Sequence, residues 1–370
     1  MVSDEFAFIH QYFAHLNPSF GKEARKMGLE LGIGDDAALV RMDGTYAITT
    51  DTLIENVHFF SHFNPHLLGA RSLDVNFSDL YAMGAEPQFV TLSLNIPVRY
   101  FDFDSFWSAY SDGFAECLER HHCALIGGNV THTSNKAAPL AISVTAFGKS
   151  LVDGKSLRRD KAKVGDLVVV TGYVGTNGLY VKTTYNRSIR NLDSDLRQRF
   201  EQQAFAYDER MRDFVALLVQ YCDCGIDVSD GLLGDLSHIL VQSNCGAIID
   251  YESLPLEPLS QSLLEDFRMS PKSLLKMALS GGGDYNLLFT LSPKKYRALT
   301  KAMKDIPELQ GFKITQIGEI TEWGDDDGYA DYDNDLATDG GRITIVNHQG
   351  EPVSLRLGTG SYNHFINRRQ

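Results

Sequence analysis

Six aspartates in small-residue surroundings define the chemistry this sequence offers. They are Asp35 and Asp36 in GIGDDAA, Asp51 in TTDT, Asp79 in NFSDL, and Asp227 with Asp230 in DVSDG. Each lies beside Gly, Ser or Thr at an expected strand end or turn, where a lone aspartate is adequately explained as a cap or turn former. Asp79 resists that explanation. It falls inside an expected helix, where Asp is a poor choice, three residues after Asn76 and on the same side. Magnesium accounts for the whole set. Mg²⁺ is a hard, octahedral, oxygen-seeking ion, usually held by a few carboxylates together with substrate phosphates. Carboxylates alone would repel ATP; with metal ions between, the same charges become a scaffold for phosphoryl transfer.

Competing motifs fail on context. GIGDDA formally matches the dinucleotide-binding pattern G-x-G-x-x-A, but such a loop follows an apolar strand and opens a helix. Here FGKEARKMGLEL precedes it and the strand-like AALVRMDGTYAITT follows. GKS occurs twice, ending at Ser150 and Ser156, yet the earlier glycine a P-loop requires is replaced by Ser143 and Lys149. No protein-kinase catalytic set is present. The five cysteines, Cys117, Cys123, Cys222, Cys224 and Cys245, form no regular framework and are expected to be reduced thiols. CDC at Cys222 to Cys224 lacks a second pair and a nearby histidine, which argues against zinc. HHC at His121 to Cys123 reads as structural.

The elements that must position these acids alternate between helix and strand. NPHLLGARSLDVNFSDLYAMGAEP predicts a helix capped by Asn64, with Pro65 in its first turn and Gly84 and Pro87 ending it. Leu68, Leu73, Phe77 and Leu80 mark one face. A second helix is expected over about Asp104 to His121, with Phe106, Tyr110, Phe114 and Leu118 repeating every four residues. TYAITTD is a strand. CALIGGNVTHT and LAISVTAFG read as a strand pair around the polar SNKAAP loop. A boundary is expected near residues 149–156, where VGDLVVVTG then starts a new unit. In the second half, a long helix is expected from Asp195 to Tyr221. GIDVSDGLLGDLSHILVQSNCG reads as a strand end, a tight turn and a helix stopped by Gly246, with Ser229 or Asp230 as its cap. SPKKYRALTKAMKD is a helix, GFKITQIGEI a strand, and YADYDNDLATDGG a loop. This order suggests two α/β or α+β domains.

Composition sets the outer bounds. The chain has 370 residues, 43% of them hydrophobic, enough for two ordinary domains with a real core. A net charge of −14 argues against general nucleic-acid binding. The most basic segment, SLRRDKAK, would serve one anionic ligand. No apolar run is long enough to span a bilayer. MVSDEFAFIHQYF lacks a basic start and a long apolar core, so it is not a signal peptide, and a cytoplasmic location is expected.

Six motifs in order, ELGIGDDAA, TTDTLIENVHF, NFSDLYAMGAEP, IGGNVT, GIDVSDGLLGDLSHI and LSGGGDYNLLFT, resemble the thiamine-monophosphate kinase family. The resemblance runs from Phe6 to Phe365. The wider superfamily of that family includes aminoimidazole ribonucleotide synthetase, selenophosphate synthetase and HypE. SDLYAMGAEP, SGGGDYNLLF and the closing YNHF point to the thiamine enzyme. HypE would end in a functional cysteine, whereas this chain ends NRRQ. Selenophosphate synthetase would carry a reactive Cys or selenocysteine near its N-terminus, whereas the first cysteine here is Cys117.

The resemblance implies a two-domain PurM-like α/β (α+β) fold. An N-terminal ATP- and Mg²⁺-binding domain, residues 1–150, would dimerise, and a C-terminal domain would cover residues 151–370. ATP would bind between them and phosphorylate thiamine monophosphate to thiamine diphosphate. By position, Asp36, Thr49, Thr50, Asp51, Asp79, Asn129, Asp227 and Asp230 would ligate several Mg²⁺ ions, with Asp35 behind them. Gly128, Asn129, Arg159 and Ser229 would contact ATP. His58, Gly283 and Tyr362 fall at substrate positions. No nucleic-acid or membrane partner is implied, and no catalytic side chain beyond the metal ions and Arg159.

Three positions depart from the family pattern. Asn129 stands where the usual GGDT has aspartate, and Gly283 and Asn286 stand where SGGEDYELLF has glutamates. The loss of acid leaves three readings: a thiamine-monophosphate kinase, an ATP-dependent relative with another acceptor, and a non-catalytic ATP-binding paralogue.

Overall fold

After Gly154 the chain divides into two units, each with its own sheets. The computed structural model describes residues 5–16, 21–323 and 343–353. The first unit, Met1–Gly154, runs through α1 (Glu5–Tyr12), α2 (Gly21–Lys26), β1 (Leu29–Leu31), β2 (Leu39–Val40), β3 (Tyr46–Ile54), α3 (Pro65–Ala82), β4 (Ala85–Pro97), α4 (Val98–Phe101), α5 (Asp104–Arg120), β5 (Ala124–Thr133) and β6 (Ala141–Ser150). Strands β1 and β2 form an antiparallel pair, and the remaining four form a sheet in the order β3-β6-β4-β5.

Helix α3 forms where its capping signals place it. The Asn64 side chain accepts from the His66 N–H at 3.0 Å, Pro65 occupies the first turn, and Gly84 follows the helix with φ +77°. The helix lies against β3, β4, β6 and α5 and is buried nearly all round. Its interior polar groups are therefore bonded. Ser72 donates to the Leu68 carbonyl and accepts from Tyr110 Oη, and the buried Cys117 thiol donates to Asp74 at 3.2 Å. Burial pushes the Asp74 carboxyl up from its ordinary value. His121, in the HHC segment, is buried and shares a 2.8 Å hydrogen bond with Tyr81 Oη.

The four-stranded sheet corrects one expectation. CALIGGNVTHT and LAISVTAFG become β5 and β6, but they do not pair. Strand β4 lies between them, parallel to β5 and antiparallel to β6. Gly84 and Pro87 read as stop signals, yet Pro87 sits beside a register shift between Pro87 and Phe89, a place where a strand tolerates a missing N–H. Leu92, Leu94, Ile142 and Val144 bury one face of this sheet, and Thr50, Thr52, Ser93 and Asn95 are exposed on the other. Just past β3, the buried Glu55 carboxylate takes Arg99, Tyr100 Oη at 3.0 Å and the Leu140 N–H at 2.9 Å, tying the ends of three segments together.

The second unit, Lys155–Gln370, contains β7 (Leu167–Thr171), α6 (Thr176–Tyr185), α7 (Ser194–Ala204), α8 (Met211–Leu218), β8 (Cys224–Val228), α9 (Leu232–Ser243), β9 (Gly246–Asp250), α10 (Pro258–Ser262), α11 (Pro271–Ser280), β10 (Asn286–Leu291), α12 (Pro293–Met303), β11 (Ile314–Thr321) and β12 (Ile343–Val346). Its six strands order as β12-β9-β11-β7-β10-β8. Val168, Val170, Ile226, Val228, Leu236 and Ile239 belong to its core. The long helix expected from Asp195 to Tyr221 is two helices. Asp193 caps α7 through the Leu196 N–H, and the break before α8 is fixed by Asp208, which accepts from the Arg210 N–H and guanidinium. Helix α9 ends on Asn244, in the left-handed region at φ +53°, and Gly246 instead opens β9. The expected loop YADYDNDLATDGG lies outside the described residues. Among the described residues, no helix is long and apolar enough to cross a membrane.

Two glycines set the approach of α3 to α5. A Cβ at Gly69 would lie 2.1 Å from the Tyr110 carbonyl oxygen, and one at Gly113 would lie 1.9 Å from that of His66. Both obstacles are backbone and cannot swing aside. Gly113→Ala is therefore expected to destabilise the protein by about 2–3 kcal/mol or more, read as a lower urea midpoint; an unchanged midpoint would show that the helices part freely.

Candidate active site

In the first unit, GIGDDAA connects the antiparallel strands β1 and β2. It is a hairpin connection, not a strand-to-helix turn, so the dinucleotide-loop reading fails on structure as well as on context. Gly34 takes φ +124°. Asp35 and Asp36 are exposed, and the Asp35 carboxylate accepts from the Asp36 N–H at 2.9 Å. That bond holds the Asp35 carboxylate against the Asp36 backbone.

Strand β3 is an edge strand, so some of its N–H groups have no strand partner. Helix α3 supplies one. Asn76 Oδ1 accepts from the Asp51 N–H at 3.1 Å, and Asp79 Oδ2 accepts from Thr49 Oγ1 at 2.6 Å. The helical Asp that propensity disfavours is thus held against TTDT. Thr50 points the other way: its hydroxyl shares a 2.9 Å hydrogen bond with Thr145 on the open face. The side chains of Thr49, Thr50 and Asp51 therefore do not form one cluster. Beyond β3, His58 Nδ1 accepts from the Ile54 N–H at 2.9 Å, which places the ring proton on Nε2.

Gly128 and Asn129 lie on β5, at the opposite edge of the same sheet. Gly128 pairs with Leu92, and a Cβ there would meet the Leu92 carbonyl oxygen at 1.9 Å, so packing alone requires glycine. Asn129 is exposed and pairs with Ser93. Three inter-strand steps of about 4.8 Å put the β3 and β5 edges roughly 14 Å apart within the unit.

In the second unit, DVSDG closes β8. Asp227 is buried at the end of that strand, and Ser229 and Asp230 are half-buried in the turn beyond it. Neither Ser229 nor Asp230 caps α9, as the sequence suggests. Gly231, at φ +123°, precedes the helix, and Asp235 reaches back from its first turn to accept from the Asp230 and Gly231 N–H groups, both at 3.1 Å. Burial, with the nearby Asp230 charge, pushes the Asp235 carboxyl up to about 7.

The SGGGDYN segment packs backbone to backbone on this turn. The Gly283 N–H donates to the Ser229 carbonyl and the Tyr285 N–H to the Val228 carbonyl, both at 2.8 Å. Gly283 takes φ +90°, a conformation that a glutamate would rarely adopt. Asp284 accepts from the Gly175 and Asn177 N–H groups at 2.7 and 3.2 Å, fixing the start of α6. Asn286 donates to the Tyr173 carbonyl, which an ionised glutamate could not do. In the basic segment, Arg158 is paired with Asp160, whereas Arg159 is exposed, its carbonyl accepting from Ser243. Tyr362 lies outside the described residues.

The candidate ligands are carboxylate, hydroxyl and amide oxygens, a hard donor set that suits Mg²⁺ and gives zinc no advantage. The cysteines are all buried thiols, and burial pushes Cys222 and Cys224 up. Sequence reasoning did not assign Asp235 or Asp284. Their signal is weak, since each looks like an ordinary helix or loop acid until the backbone groups it holds are in place.

Two family models match the chain: AIR synthase related protein, N-terminal domain, over residues 34–150, and the corresponding C-terminal domain over residues 163–330. The thiamine-monophosphate kinase of Buchnera aphidicola subsp. Schizaphis graminum is 34% identical over 374 residues, covering 99% of this chain and all of that protein. That of Escherichia coli strain K12 is 34% identical over 329 residues, 87% of this chain and 91% of its own length. Among solved structures, the Stenotrophomonas maltophilia thiamine-monophosphate kinase superposes with a TM-score of 0.73 at 29% identity, covering 92% of this chain and 98% of that one. Hydrogenase maturation protein HypE in complex with ATP shares the fold, with a TM-score of 0.67 at 17% identity, over 95% of this chain and 94% of that one. With that identity maintained along nearly its whole length, the chain belongs to the thiamine-monophosphate kinase family.

Proposed function

We propose that this protein transfers the γ-phosphoryl group of ATP to the phosphate of thiamine monophosphate, in line, giving ADP and thiamine diphosphate. What carries this reading is the 34% identity to a curated thiamine-monophosphate kinase along 99% of the chain. The acceptor phosphate is itself the nucleophile. Its second pKa of about 6 leaves it largely ionised at neutral pH, so no side chain need act as a general base and no phosphoenzyme is required. The difficulty is to bring two polyanions together.

Asp36, Thr49, Thr50, Asp51, Asp79, Asn129, Asp227 and Asp230 would hold Mg²⁺, with Asp35 orienting the Asp36 backbone. Bound there, the metal would offset charge on the phosphate oxygens. Asn76 keeps the Asp51 backbone in place, and Asp235 does the same for Asp230 and Gly231. Arg159, with Gly128, Asn129 and Ser229, would meet ATP. His58, presenting Nε2–H, would donate to the thiamine phosphate, and Gly283 and Tyr362 are read as further substrate positions. A second reading, with another acceptor, draws support from Gly283, which offers that acceptor no side chain.

Incubation with ATP and Mg²⁺, with and without thiamine monophosphate, tests the first reading. Formation of ADP and thiamine diphosphate is expected only when the acceptor is present. ADP formed only with a different acceptor would favour the second reading, and ATP binding without turnover a non-catalytic one. Asn129 has a carbonyl oxygen but no charge, so Asn129→Asp is expected to lower the Mg²⁺ needed for half-maximal rate. An unchanged Mg²⁺ requirement would remove Asn129 from the ligand set.

The protein is further read as a homodimer built on the N-terminal unit. The four-stranded sheet has an open hydroxyl-rich face, and β3 and β5 are its outer strands. One Mg²⁺ reaches its oxygens at about 2.1 Å, so Asp51 and Asn129, at opposite edges, cannot share an ion within one chain. A second copy closing the sheet edge to edge would bring β5 of one chain beside β3 of the other. Mixing Asp51→Asn protein with Asn129→Leu protein, each impaired alone, is then expected to restore part of the activity. Absence of recovery after confirmed subunit exchange would overturn the shared site.

A further inference from the structure

A cavity of about 970 Å³ opens in the C-terminal unit. It is bounded by the segment after β7, the α7–α8 connection, the end of α12 and the segment entering β11. That size lies at the upper end of pockets that hold small molecules. None of Arg159, Asp227, Ser229 and Asp230 lines it, although Asp284 and Asn286 reach its rim.

Its charges are not equivalent. Asp208 accepts two guanidinium hydrogen bonds from Arg210, at 2.8 and 2.7 Å, and Arg210 also donates to the Gln310 carbonyl. The guanidinium lies 5.4 Å from the centre of the Phe312 ring. The Asp284 carboxylate is engaged by the α6 N–H groups. Lys304 and Lys313 remain, and neither has a carboxylate partner among the described residues. The Lys313 ammonium sits 4.0 Å from the centre of the Tyr173 ring. Partial burial lowers its pKa, so the ion is incompletely hydrated where it stands. An anion would replace the lost water and gain more there than at an open surface.

These features select a ligand class. A cation would meet Lys304, Lys313 and Arg210, and a purely apolar molecule would strip water from them. Phe312, Tyr173 and Tyr207 also line the cavity, the first two beside Arg210 and Lys313. Asn286 keeps a further negative charge off the rim. We propose that this cavity binds a planar organic anion, a heteroaromatic ring bearing a phosphate or carboxylate, with Lys313 and Lys304 meeting the anion and Tyr173 and Phe312 flanking the ring.

Pyridoxal 5′-phosphate is a probe of this class that also reports which lysine it reaches. The neutral lysine amine adds to the aldehyde carbon, water leaves, and borohydride reduces the imine to a stable amine that peptide mapping can locate. The experiment uses the full chain with EDTA and no ATP, so it does not depend on whether the kinase reading holds. One of the two ammonium groups holds the phosphate while the other lysine, as the neutral amine, forms the imine, so label is expected at Lys313 or Lys304 before other lysines, and Lys313→Met should weaken equilibrium binding about tenfold or more, as for one lost charge-assisted hydrogen bond. Lys304→Met should weaken it in the same direction. Competition by thiamine monophosphate would support the cavity as a place for the acceptor or its relatives; tight probe binding without that competition would support a different heteroaromatic anion. Labelling spread evenly over surface lysines, inorganic phosphate competing as well as the probe, or unchanged affinity in both variants would overturn the proposal.

Discussion

An acid placed to hold a metal must be fixed in direction without having its charge cancelled. In this protein the donors that fix the relevant carboxylates include hydroxyls and backbone amides. Thr49 donates to Asp79, the Asp36 N–H to Asp35, and two N–H groups to Asp235. A neutral donor orients an oxygen without bringing an opposite charge of its own. The contrast with the scaffold is clear. Glu55 and Asp208, which hold segments together, are paired with Arg99 and Arg210.

Each unit uses a different device to aim its acids. In the first, the buried helix α3 holds β3 at two points, Asn76 on the Asp51 N–H and Asp79 on the Thr49 hydroxyl, so the site inherits the rigidity of the α3–α5 packing. In the second, two glycine-rich segments lie backbone on backbone, and Asp235 and Asp284 secure them from either side. The departures at Gly283 and Asn286 fit this second device. One permits a positive φ, and the other supplies a donor to the Tyr173 carbonyl. They are coherent with the local backbone as well as being losses of acid.

Legibility in the sequence followed the range of the interactions. The cap at Asn64, the glycine at Gly84 and the period of α3 are local, and the helix is where they put it. The poor fit of Asp79 to a helix was itself informative, since its partner is Thr49 on a strand. Strand β4 was hidden because its stop signals are local while its rescue, a bulge against β6, is not. The break between α7 and α8 was hidden for a similar reason: the apolar period continues across it, and only the Asp208–Arg210 contacts show the turn. The roles of Asp235 and Asp284 depend on N–H groups that the folded backbone delivers. The pairing of six motifs with the two units was legible, but the placement of Thr50 and Asn129 on the open side of the sheet was not.

The insertion of β4 between β5 and β6 also constrains the order of assembly. No hairpin between the two later strands can serve as a local seed. Tyr46 pairs with Lys149, so β3 must wait for almost the last residues of its unit before finding its neighbour. Such distant pairings carry a large loop-closure cost and slow folding. During synthesis, β3 and β4 would leave the ribosome with apolar faces exposed and no complete sheet to join, a window in which chaperones matter. The arrangement that sets the acid-bearing edge apart from Asn129 thus ties the birth of the site to the end of its unit's synthesis.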